Sequence, residues 1–188
     1  LSALHERYPG MDVSAQTGCP TFKYIPEPER DLLTPAVEAD ETFDDAARGL
    51  RVQFYADFER TQLIRKRIIS QSTVHASLLA GAATAMTLDG EYLCATAGDY
   101  TFGLLSTGRA RMWVDGDAII DNWTSPEPGE AFFMQGSSEV RATRFFEAGQ
   151  RVRILIEYEV STDTMFKGLR YGILEPQFLD PISEAVTL

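Results

Sequence analysis

The chain has 188 residues, 44% of them apolar and 24% charged, enough for one large domain with a sizeable core and too apolar for a disordered chain. Seventeen Lys and Arg against 28 Asp and Glu leave a net charge of −11, which repels phosphate backbones and anionic lipid heads and argues against nucleic-acid or membrane partners. No apolar run approaches the roughly 20 residues of a membrane span, and the opening LSALHERYPG lacks a basic-then-apolar signal architecture, so the chain reads as an internal segment of a longer one.

In chain order, Leu1, Leu4 and Tyr8 recur at helical spacing, and Asp12 to Gln16 alternates weakly, as a short strand does. Residues 26–48 read as an acidic linker: Pro26, Pro28 and Pro35 interrupt a stretch rich in carboxylates, Asp44 and Asp45 among them, with Arg30 as a lone cation up to Asp45. From residue 49 to 174 the period becomes two. Val52, Phe54 and Ala56 alternate with Gln53, Tyr55 and Asp57; Tyr100, Phe102 and Leu104 share one face; Val152, Ile154, Ile156, Tyr158 and Val160 oppose Arg153, Glu157 and Glu159. Turn signals separate these runs at Asp89-Gly90, Ala97-Gly98-Asp99, Thr107-Gly108, Asp115-Gly116, Pro126 to Gly129 and Ala148-Gly149. Short strands at that spacing predict an all-β antiparallel sandwich or barrel. Trp113, Tyr100 and Phe102 are expected in its core. Beyond residue 174, Asp180 and Pro181 suit the start of a helix that Ile182, Ala185 and Val186 continue.

The sequence holds little that splits bonds or binds metal. His5 and His75 are the only histidines, with no spacing that pairs either with a nucleophile, and both are expected to be structural or solvated. Cys19 and Cys94 make neither a disulfide framework nor a CxxC pair. Asp44-Asp45 and Asp115 have oxygen ligands for calcium, but exposed acidic runs are usually solvated, and neither a metal nor a cofactor is expected. Asn122-Trp123-Thr124 is a glycosylation sequon if the chain is secreted; the sequence leaves the compartment open, with a preference for an extracellular one. The segment that follows, rich in Pro and Gly, reads as a loop at the sheet end away from the Asp115-Gly116 hairpin. Phe132 and Phe133, adjacent on an extended segment, are expected to point in opposite directions, one into the core and one outward.

Three ordered motifs carry a resemblance: the Gly-x-Tyr-x-Phe-Gly strand at 98–103, the Val-Asp-Gly turn at 114–116 followed by Ile-Ile-Asp-Asn, and the Ala-Gly turn before a long alternating strand. Together they resemble the protective-antigen-type (PA14) β-sandwich over about 49–174. The flanks, residues 1–25 and 175–188, resemble the αβα sandwich of glycoside hydrolase family 3 β-glucosidases, some of which carry this domain as an insertion. The resemblance implies a non-catalytic accessory domain whose partners are the parent's catalytic domains and an oligosaccharide substrate. It would cover the active-site entrance and shape selection on the aglycone side. The family's catalytic Asp and Glu belong to segments outside these residues. Its calcium-binding lectin members use a paired-Asp loop placed differently from Asp44-Asp45. Asn122, Trp123, Phe132 and Phe133 are the carbohydrate-proximal candidates. An autonomous carbohydrate-binding domain and a structural or oligomerisation insert remain as alternatives.

Overall fold

Alternation sorts side chains to opposite faces of each strand, and the chain buries one face of each of two antiparallel sheets against the other. The computed structural model describes residues 6–8, 10, 21–36, 47–76 and 81–176. The larger sheet has seven strands: β1 (Leu33–Pro35), β2 (Leu50–Tyr55), β3 (Leu63–Ile69), β5 (Ala85–Leu93), β7 (Arg109–Val114), β8 (Asp117–Asn122) and β10 (Arg151–Glu159). Their order is β3-β2-β5-β10-β7-β8, with β1 added alongside β2 on β5. The smaller sheet orders β4 (Thr73–His75), β11 (Gly168–Leu174), β6 (Gly98–Ser106) and β9 (Val140–Phe146) as β4-β11-β6-β9.

The core lies between the sheets. Val52, Phe54, Met112, Ile154, Ile156 and Tyr158 from the larger sheet face Tyr100, Phe102, Leu104 and Leu169 from the smaller, all without solvent exposure. Phe146 meets the rings of Tyr100 and Phe102 at 6.0 and 6.1 Å between centroids, within the range of favourable aromatic pairs. The Asp115-Gly116 turn has φ of 51° and 88°, as a primed hairpin turn requires.

Four expectations change. Trp113 is not in the core: Ala110, Met112 and Val114 hold the buried parity of β7, so Arg109, Arg111 and Trp113 face outward. Asp89-Gly90 is not a turn but lies inside β5. β1 crosses there, with the Thr34 carbonyl 2.6 Å from where a Cβ on Gly90 would stand, so the glycine admits a neighbouring strand. Part of the acidic stretch read as linker is ordered, through a 3-10 turn at Arg30–Leu32 and β1. Finally, residues 21–26, the end of the flank compared with the αβα sandwich and the first linker residue, lie over the outer face of the smaller sheet. Glu139 accepts the Ile25 amide at 2.9 Å, the Pro26 carbonyl accepts the Ile173 amide at 3.0 Å, and the Ile25 carbonyl lies 2.4 Å from a Cβ placed on Gly172. Most of the flanking helix, the Asp12–Gln16 strand, His5, Cys19, Asp44-Asp45 and the helix from Asp180 lie outside the described residues.

Candidate functional site

The strand registers bring one set of loops together. β2, β6, β8 and β10 end, and β3, β5, β7, β9 and β11 begin, at the end of the sandwich opposite the Asp115-Gly116 hairpin. Two of these loops are fixed by an Asp at their base. Asp57 accepts from the Thr61 hydroxyl (2.6 Å) and from the Thr61 and Gln62 amides, and the loop it ties presents Phe58, 46% exposed. Asp121 accepts from the Thr124 hydroxyl (2.7 Å) and from the Thr124 and Trp123 amides. In both, the hydroxyl and then the amides hold the carboxyl below its ordinary range.

The loop after β8 closes on itself. The Gly129 amide donates to the Gly136 carbonyl (2.8 Å), the Ser138 amide to Glu127 (2.7 Å), and the Ser137 amide ties the closure to Ser106 at the end of β6 (2.8 Å). At its apex, the single helical turn Ala131–Met134 contains three successive residues of left-handed φ: Phe132 at 51°, Phe133 at 57° and Met134 at 65°. An L-residue in that region costs about 1–2 kcal/mol. Phe132 packs edge-on against His75 at 5.9 Å, whereas Phe133, 80% exposed, stacks on Phe166 at 5.0 Å and 24°. Gln135 joins the two segments, its Oε1 accepting the Met165 amide at 2.8 Å. Met134 and Met165 are exposed beside them.

Beneath this apex runs a cleft of about 700 Å³, walled by Phe58, Ser106 to Arg109, Pro126 to Pro128, Met134 to Ser137 and Glu159 to Thr162. Thr107 in its wall bonds the Tyr158 hydroxyl at 3.1 Å, and burial pushes that phenol up to about 12.

The sequence candidates therefore fall apart into different environments. Asn122 is not a loop residue: it ends β8 on the same parity as the buried Ile120, has no exposed surface, and its Nδ2 donates to Ser137 Oγ (2.7 Å) and Ser106 Oγ (3.1 Å). A nitrogen so used is no glycan acceptor in the folded chain. Trp123 lies half-buried on the outer face of the larger sheet, with the Arg111 guanidinium 4.5 Å from its ring and Glu157 holding Arg111 at 2.7 Å. Phe132 and Phe133 share the apex, on left-handed backbone and not on the extended segment expected. Sequence reasoning missed Phe58, Met134, Ser137 and Phe166; the Asp57-to-Thr61 spacing was the available signal for the first. Among the described residues no three His, Cys, Asp or Glu gather where a cation could be held.

Comparison with known proteins places this architecture. The PA14 domain family matches residues 54–173. A probable β-glucosidase K from Emericella nidulans is 27% identical over 165 residues, covering 82% of this chain and 18% of its own length. A β-glucosidase from Rhizobium radiobacter is 33% identical over 93 residues, 47% of this chain and 11% of its own. The chain thus spans less than a fifth of these relatives. Among solved structures, the β-glucosidase from Kluyveromyces marxianus superposes with a TM-score of 0.76 at 21% identity over 98% of this chain and 22% of its own. An α-xylosidase from Xanthomonas citri gives 0.54 at 18% identity, over 77% of this chain and 15% of its own. With two sheets in this arrangement and a family match across most of both, the chain belongs to the PA14 domain family.

Proposed function

We propose that the chain is a non-catalytic accessory domain of a β-glucosidase of glycoside hydrolase family 3, with its loop end at the entrance of the catalytic pocket, where it selects the sugar on the aglycone side. Relatives named β-glucosidases support the reading, and because the chain matches under a fifth of their length, bond cleavage is assigned to the remainder of such a protein.

The observation that carries this reading is the left-handed run Phe132–Met134. Strained backbone persists only where its surroundings impose it, and it concentrates where a chain binds or reacts. Its result here is to project Phe133 outward with Phe166 fixed behind it, a flat apolar surface of the kind that the C–H face of a sugar ring covers.

In the full-length enzyme, Phe133→Ala should lower kcat/KM for a disaccharide relative to an aryl glucoside by about 10–200-fold, the scale of a lost pocket contact worth about 1–3 kcal/mol. Thermal stability should stay near that of the parent. A fall in Tm with selectivity unaltered makes the apex a scaffold and favours a structural insert.

A further inference from the structure

The wall of the cleft beneath the apex includes Ser137, whose hydroxyl donates to no group among the described residues. A serine hydroxyl has one proton and two lone pairs. Ser137 Oγ accepts from the Asn122 amide at 2.7 Å and from the Ser106 backbone amide at 3.1 Å, which occupies both lone pairs, and among the described residues no acceptor takes its proton. Ser106 differs: it accepts from Asn122 and passes its own proton to the Gly108 carbonyl at 2.7 Å. Asn122, fully buried behind both serines, therefore acts as a positioning residue that fixes how Ser137 is spent.

The remaining wall matches that donor. Phe58 and Met134 offer apolar surface, and Glu127 and Glu159 offer acceptors. Gln135, its Oε1 occupied by the Met165 and Phe166 amides, keeps its amide N–H groups as further donors. Apolar faces bordered by both donors and acceptors suit a ring that carries hydroxyls, and about 700 Å³ lies within the range of roughly 300–1,000 Å³ typical of small-ligand sites. Two carboxylates against the single cation Arg109, on a chain of net charge −11, disfavour an anionic ligand.

The geometry points to this cleft as a binding site for a neutral oligosaccharide, with Ser137 Oγ donating to a sugar hydroxyl and Asn122 setting the donor's direction. The site is separate from the Phe133 surface and rests on the proposed function only for the choice of sugar as ligand.

Titration of the ¹⁵N-labelled chain with cellobiose, followed by amide chemical shifts, tests it. Saturable shifts are expected at residues 106–109, 127, 134–137 and 159–162, with none on adding digalacturonate. Ser137→Ala should weaken binding about tenfold, the scale of one lost hydrogen bond to a ligand. Asn122→Asp should weaken it similarly with Ser137 intact, because the carboxylate accepts the serine hydroxyl's hydrogen bond for itself. Absence of shifts at millimolar cellobiose, or shifts confined to Phe133 and Phe166, overturns the cleft on the wild-type chain alone. An unchanged midpoint in a folded Ser137→Ala chain removes the donor's role. The rim reading stands or falls separately, on the selectivity of Phe133→Ala in the full enzyme.

Discussion

Met134 shows most simply what the apex costs. Its φ is 65° and it is 73% exposed, so little side-chain burial compensates. Glycine occupies that region without the L-residue penalty of about 1–2 kcal/mol, though it gives back about 0.5–1 kcal/mol in backbone entropy. Met134→Gly should therefore stabilise the chain by roughly 0.5–1 kcal/mol, raising Tm by about 1–3 °C at this size, while Met134→Ala leaves Tm unraised. Equal gains from both would mean that the side chain, and not the backbone, is the source. The same conformation explains why the site was only partly legible in the sequence. Phe-Phe-Met carries none of the Gly, Asn or Asp signature of positive φ, so two candidates, Phe132 and Phe133, emerged from their position in a loop, and their backbone did not. Asn122 was legible as an isolated asparagine, but its burial depends on β8 parity and on two serines distant in sequence. Cys94, which the sequence pairs with no second thiol, is buried, and burial pushes its thiol up to about 12.

Strands that carry their own alternation, such as β2, β7 and β10, could be read directly because each sorts its side chains without help from the rest of the chain. Elements defined by their neighbours could not. β1 is three residues long and exists because Gly90 lets it approach β5, and the Asp89-Gly90 pair that permits this resembles a hairpin turn when read alone. Residues 21–26 are a similar case, an irregular segment held by the Gly172 gap and by Glu139. Gly172→Ala should push this segment off the smaller sheet, since a Cβ would stand 2.4 Å from the Ile25 carbonyl and 2.6 Å from that of Pro26. The expected cost is about 1–3 kcal/mol, as for other overpacked sites. Hydrogen exchange should quicken at the Ile25 and Ile173 amides and stay slow in β10. Uniform loss of protection would show that the segment is part of the cooperative core.

For the molecule as a whole, titration limits stability at both ends of the pH scale. Burial raises the Tyr158 phenol to about 12 and the Tyr92 and Tyr171 phenols as well, that of Tyr92 also through Glu175 beside it. An unfolded tyrosine titrates near about 10, so these three contribute stability that is complete below that pH and is lost as pH rises through the folded values. Asp57 and Asp121 act in the opposite sense: their depressed values give stability that is present above about pH 4 and lost as pH falls through the folded values. Tm should stay level between about pH 5 and 9 and fall on either side, more steeply in alkali, where the groups are buried. Part of the tyrosinate absorbance should appear only together with unfolding; its full appearance in a folded chain would contradict the account. The hydrogen bond from Ile173 to Pro26 has a consequence on the same scale. Because the backbone arrives and departs at touching positions, a longer protein that carries this sandwich need supply only two adjacent attachment points on its surface, as it would for a short loop, and its own fold is not stretched. Such a unit can be carried by proteins of different folds without either fold being rebuilt.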